Sequence, residues 1–145
     1  MSAPSTVLIT GGNRGIGQGF VKTFLAQPSL TVIVGVRDPS HSTSKALQDL
    51  RVGKGSKLII VKLDSSVPSD AAMAVATLKS EHGIRALDTV IANAGVASDG
   101  GLVRDTTVAI KTHFEVNTIG PAVLFQAVIN LLQASKTGNP LFVAI

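Results

Sequence analysis

The segment Thr10-Gly11-Gly12-Asn13-Arg14-Gly15-Ile16-Gly17 has the residue types and spacing most suited to chemistry in this chain. It follows an apolar run and opens an amphipathic helix, and that context separates it from a bare helix start. Glycines let the backbone turn tightly and let an anion approach the first helical turn. There the unpaired N–H groups and the helix dipole favour negative charge, above all a pyrophosphate. Gly11, Asn13, Arg14, Gly15, Ile16 and Gly17 are therefore candidate ligands of a dinucleotide.

Charge then bears on which dinucleotide. Arg37 follows the second apolar run, and Arg14 lies inside the glycine loop itself. Two guanidinium groups facing one phosphate dianion would form charge-assisted hydrogen bonds worth about 1.5–3 kcal/mol each, a preference of roughly tenfold or more. That points to NADP(H). Asp38 offers the competing reading, because a carboxylate turned inward there would accept from ribose hydroxyls and select NAD. Arg37 comes first after the strand, so NADP(H) is the expected cofactor.

The elements that must hold these residues alternate between short β-branched runs and helical patterns, which predicts βαβ units and a doubly wound parallel α/β sheet. Strands are expected at Thr6–Thr10, Thr31–Val36, Lys57–Leu63, Leu87–Ala92 and Leu141–Ile145. Helices are expected from Gly15 to Gln27, around Leu47 and Leu50, from about Asp70 to His82 with Ser69 as N-cap, and from about Asp105 to Ser135. In the first, Ile16, Phe20, Val21, Phe24 and Leu25 share one face. A bend in the last is expected near Gly120-Pro121.

Apolar residues make up 45% of the chain but only five are aromatic, all Phe, so Val, Ile, Leu and Ala must build the core, as in helix-covered parallel sheets. The 145 residues fit one domain, 1–145. The chain has no cysteine, which removes disulfides, thiolate metal sites and a thiol nucleophile, and no metal is expected. The net charge of +4 is scattered rather than striped, which with few aromatics argues against nucleic acid. No targeting segment is visible, and the apolar stretch Gly120–Leu132 is too short to span a bilayer. A cytoplasmic protein with no membrane association is the expectation.

The spacing T-G-x-x-x-G-x-G resembles the short-chain dehydrogenase/reductase family, with a carbonyl-reductase and fungal-ketoreductase flavour. Further matches follow in order: Asp64 after the third strand, Asn93-Ala94-Gly95 after the fourth, and Val116-Asn117 in the long helix. The resemblance implies a Rossmann-like sheet in order 3-2-1-4-5 and a carbonyl or alcohol substrate for the whole protein. It implies that Asp64 accepts from the adenine amino group, with Leu63 and Ser65 framing the ring; a loop-capping aspartate is the alternative. Asn93, Ala94 and Gly95 would line the adenosine ribose and stabilise the sheet, although Ala92 replaces the family's first asparagine. Asn117 would hold a water in the proton relay, or would serve only as a helix-bending amide.

The family's catalytic residues cannot be carried over. They are a serine after the fifth strand, then a tyrosine and a lysine four residues on. This chain has no tyrosine, and Ser135 and Lys136 precede the fifth strand. The expectation is a chain truncated after that strand: the cofactor-binding portion of such an enzyme, without its catalytic and substrate part. The alternative is a complete, repurposed protein, either a non-redox isomerase, lyase or cyclase, or a nucleotide-sensing or dimerising regulator. His113 sits one helical turn before Asn117, but a packed or solvated histidine is the simpler reading; His41 and His82 ask for no special role. The apolar residues of the 105–135 helix and the edge of the fifth strand predict self-association.

Overall fold

A computed structural model describes residues 5–99 and 101–145. Five strands, β1 (Ser5–Thr10), β2 (Leu30–Val36), β3 (Lys57–Lys62), β4 (Thr89–Ala92) and β5 (Leu141–Ala144), form one sheet in the order β3-β2-β1-β4-β5. Every pair is parallel. The order reverses beside β1, which leads out to β2 and β3 on one side and to β4 and β5 on the other. Ligands of open α/β sheets bind beyond the carboxyl ends of strands at such a switch point.

Side chains alternate across the sheet, so each central strand feeds two cores. Val7, Ile9, Val32 and Val34 pack with Val21 and Leu25 of α1 (Gly15–Leu25) and with Leu47. Leu8, Ile33, Ile59, Val61 and Val90 face the opposite way, against the second layer of helices. There Ala74 and Leu78 of α3 (Pro68–Ser80) meet Leu124, Val128 and Leu131 of α6 (Gly120–Gln133). The predicted α/β class and the strand order 3-2-1-4-5 are both observed.

Several details differ from the sequence reading. Ile16 is 68% exposed and takes no part in the buried face of α1, because the first helical turn projects past the sheet edge. The short helix near Leu47 divides into α2 (Ser42–Lys45) and a 3-10 turn, Ala46–Asp49. The third helix starts earlier than expected: Val67 occupies the N-cap, and Pro68 provides a preset φ at the first helical position. Ser69 is not the cap. Gly83, at φ +67°, lies just beyond that helix's C-terminal end, in the left-handed backbone that glycine takes readily.

The long helical stretch is also more divided than the pattern suggested. A short α4 (Gly101–Arg104) precedes α5 (Thr107–Phe114), which Thr106 caps through its hydroxyl. Between α5 and α6 lies a π-helical turn, Glu115–Ile119, in which the Gly120 N–H reaches the Glu115 carbonyl five residues back. The irregularity therefore sits before Gly120-Pro121 rather than at it. Taken together, Thr107–Gln133 is long and apolar enough by length and composition to cross a membrane. Leu124, Val128, Leu131 and Leu132 are nonetheless buried in the core, as in a core helix, which passes the same test.

Candidate cofactor-binding site

The β1–α1 loop is held open by its glycines and anchored by its neighbours. Gly11 (φ +65°) and Gly15 (φ +55°) occupy left-handed backbone that L side chains rarely adopt. A Cβ on Gly11 would stand 2.9 Å from the Ala94 Cα, while one on Gly15 would meet nothing within 4 Å. Gly15 thus faces open space at the mouth of α1. A Cβ on Gly17 would overlap the Gly11 carbonyl and the Asn93 amide. Arg14 is the extended N-cap of α1 and makes no side-chain capping bond. The Gln18 N–H bonds the Arg14 carbonyl at 3.1 Å, which leaves the N–H groups of Gly15, Ile16 and Gly17 without intrahelical acceptors.

The loop's other contacts tie it to three strands. The Gly11 N–H donates to the Gly35 carbonyl of β2 at 2.8 Å. Asn93, just past β4, donates through Nδ2 to the Thr10 carbonyl at 3.0 Å and the Gly11 carbonyl at 3.3 Å. The backbone N–H groups of Asn93 and Ala94 both donate to the Thr10 hydroxyl, at 3.1 and 3.0 Å. Thr10 is thereby the acceptor joining β1 to β4, a role its place in the motif did not disclose. Asn13 donates through Nδ2 to Thr43 Oγ1 at 2.7 Å, linking the loop to α2.

Arg37 stands directly after β2. Because β1 and β2 are parallel, with Thr10 opposite Gly35, Arg14 and Arg37 emerge at the same, carboxyl end of the sheet. Both are exposed, and neither forms an ion pair among the described residues. Asp38 is engaged locally. Its Oδ1 accepts from the Ser40 N–H at 2.8 Å and the Ser40 hydroxyl at 2.6 Å, and these bonds lower its carboxyl pKa.

After β3, Leu63 is buried and lies against Gly35, while Asp64 Oδ1 accepts from the Ser66 N–H at 2.9 Å and the Ser66 hydroxyl at 2.7 Å. Asp64 therefore does cap its own loop. A cavity of about 280 Å³ opens beside it, lined by Leu63, Asp64, Ser65, Pro68, Ile119 and Val123 among others. Asp70, which the sequence marked only as a first-turn acid, is 6% exposed and holds this loop. Its Oδ2 pairs with Lys62 Nζ and accepts the Asp64 N–H at 3.0 Å. Burial pushes the Asp70 carboxyl up, but Lys62 and the Asp64 amide outweigh it and hold the pKa below the usual range.

Asn117 lies within the π turn. Its side chain clasps the backbone of Val96, accepting the N–H through Oδ1 at 2.9 Å and donating through Nδ2 to the carbonyl at 2.8 Å. A Cβ on Gly95 would stand 3.3 Å from Asn117 Oδ1, and one on Gly120 would stand 2.9 Å from the Ser65 carbonyl. Pro121 has no N–H, so the Asn117 carbonyl has no α-helical donor four residues on. The four segments singled out in the sequence thus meet: the glycine loop with Asn93-Ala94, Gly95 with Asn117, and the long helix with the Asp64 loop.

Known proteins fit this geometry. The sequence profile of the short chain dehydrogenases matches residues 5–144. A norsolorinic acid ketoreductase of Dothistroma septosporum is 46% identical over 99% of this chain and 54% of its own. A short chain dehydrogenase of Penicillium aethiopicum is 44% identical over 94% of this chain and 53% of its own. A crystal structure of NADPH-bound carbonyl reductase from chicken fatty liver superposes with a TM-score of 0.77 at 30% identity, over 92% of this chain and 53% of that one. The chain spans about half the length of the curated relatives it matches. It belongs to the short-chain dehydrogenase family.

Proposed function

We propose that this chain is the NADP(H)-binding portion of a short-chain dehydrogenase/reductase whose substrate is a carbonyl compound or the corresponding alcohol. The observation that carries this reading is the meeting of the glycine loop, the Asp64 loop, Asn93-Ala94-Gly95 and the Asn117 turn at the carboxyl end of the sheet, beside a helix mouth whose first N–H groups lack helical acceptors. A diphosphate suits that mouth: Gly15 leaves space above it and Gly11 fits closely against Ala94. The relatives named as ketoreductases supply the substrate class.

The roles at the helix mouth and of the two arginines rest on charge and geometry, and those of Leu63, Asp64, Asn93, Ala94, Gly95 and Asn117 on the family resemblance. The N–H groups of Gly15, Ile16 and Gly17 would take the diphosphate, and the exposed Ile16 would lie along the dinucleotide. Arg14 and Arg37 would take the 2′-phosphate of the adenosine ribose. Leu63 and the Asp64 carboxylate would meet the adenine, with Asn93, Ala94 and Gly95 lining the ribose. The Asn117 carbonyl, deprived of a donor by Pro121, is free to accept from a water. NADP(H), when bound, supplies or accepts a hydride at its nicotinamide ring.

Titration of the chain with NADPH and NADH, followed by nucleotide fluorescence, tests the reading. Binding of NADPH at least about tenfold tighter than NADH is expected, with the preference reduced by about tenfold in Arg37→Ala, which removes one charge-assisted contact and leaves Arg14 in place. Equal affinity for both nucleotides in the unmodified chain would refute the NADP assignment.

A further inference from the structure

Beside Asn117 lies a second cleft of about 540 Å³, lined by Val96, Ala97, Ser98, Ile110, Phe114 and Thr118 among others. Its walls are mostly apolar, but Asp105 and His113 also line it. The Asp105 side chain is 7% exposed, and its Oδ2 stands 3.6 Å from His113 Nδ1, an ion-pair separation rather than a hydrogen bond. Its other oxygen, Oδ1, accepts the hydroxyl of Ser98. The His113 side chain is 29% exposed.

A buried carboxylate facing one ring nitrogen favours the proton on that nitrogen. We propose that Asp105 fixes His113 with its proton on Nδ1 and its Nε2 lone pair available to the cleft, as an acceptor for the hydroxyl of an otherwise apolar ligand. Ser98 holds the second carboxylate oxygen, so the carboxylate cannot easily turn away from the imidazole. Ile110 and Phe114, exposed on α5, supply the apolar surface against which the rest of the ligand lies. This site uses a histidine and an aspartate that the cofactor reading leaves idle. It rests on the proposed function only in taking this cleft, adjoining Asn117, as the substrate side.

His41 provides an internal control. Its Nδ1 lies 3.3 Å from the Thr43 N–H and 2.9 Å from the Thr43 hydroxyl; both can donate to an unprotonated Nδ1, and that arrangement puts the proton on Nε2. The chain has three histidines, and imidazole-¹⁵N spectra of the 145-residue protein can resolve all three. The expected result is opposite tautomers for neutral His41 and His113, with His113 changing to the Nε2–H form in Asp105→Asn.

2-Naphthol and its hydroxyl-blocked analogue 2-methoxynaphthalene then probe the cleft. 2-Naphthol should shift the His113 Nε2 resonance saturably and bind roughly tenfold more weakly to His113→Phe and Asp105→Asn, the loss of about one hydrogen bond. 2-Methoxynaphthalene should not distinguish the three proteins. His113→Phe changes a partly exposed residue, so it keeps the test available should Asp105→Asn fail to fold. An Nε2–H tautomer at His113 in the unmodified chain, or 2-naphthol affinity indifferent to His113→Phe, would overturn the proposal. NADPH titration of the same sample reads the cofactor assignment separately, so the two can fail independently.

Discussion

The two edges of the sheet are finished differently. β3 carries Lys57 and Lys62 at its two ends and buries Ile59 and Val61 between them. β5, the sequence Leu-Phe-Val-Ala, buries none of its four residues and carries no charge. The loops follow the same division. On the β3 side, Asp70 ties Asp64 and Lys62 together and Asn13 ties the glycine loop to α2. On the β5 side, Phe114 and Phe125 of the long helix and Leu141 and Val143 of the strand face outward. A charged, interlocked edge resists further pairing, whereas an uncharged apolar one invites it.

The largest expected effect comes from disturbing the packing of the glycine loop on Asn93. Gly17→Val should destabilise the fold by about 3 kcal/mol, read as a lowered urea midpoint, because the new Cβ would overlap the Gly11 carbonyl, which is backbone. Gly19 is the contrast, since a Cβ there meets nothing within 4 Å. Gly19→Ala should leave stability unchanged or raise it by up to about 1 kcal/mol. If both glycine substitutions cost the same, the close packing of the loop on Asn93 is not what holds it.

Asp70→Ala should cost about 1–3 kcal/mol, since it removes the Lys62 pair and leaves the Asp64 N–H without its acceptor. The effect depends on pH in a defined direction. The folded-state pKa of Asp70 is depressed, so its contribution is present above the unfolded-state value and is lost as pH falls through the folded one. Acid titration of Asp70→Asn beside the unmodified chain should show the two stabilities converging at the acid end. Divergence toward low pH would contradict this account.

At the other edge the expected effect is on association rather than folding. The exposed apolar residues of α5–α6 and β5 predict concentration-dependent self-association, and Val143→Lys should reduce it by charging the edge. Sedimentation velocity over a range of concentrations checks this. A monomer at all concentrations in the unmodified chain would sink the idea.

Much of this architecture was legible because periodicity and glycine placement are local signals. The five strands follow from apolar runs, while the reversal of order beside β1 and the segments that converge were implied by the family resemblance that the motifs carry. What escaped was decided by contacts distant in the chain. Nothing local distinguishes Asp70 from an ordinary first-turn acid until β3 brings Lys62 beside it. Thr10 looks like a strand end until β4 supplies the two N–H groups it accepts. Pro121 announced a break, but the sequence did not show that the helix would take up the strain upstream, as a π turn around Asn117. Ile16 fits the helical period of α1, yet the period carries no information about where the sheet ends beneath it.

The central claim is that a dinucleotide diphosphate rests on the N–H groups at the start of α1, with Arg14 and Arg37 on its adenosine side. Backbone amide NMR of the ¹⁵N-labelled chain during NADPH titration tests this residue by residue. The largest saturable shifts should fall on Gly15, Ile16 and Gly17, accompanied by Arg37 and Asp64. Shifts confined to α5–α6 or β5, with the amides of the glycine loop unmoved at saturation, would contradict it.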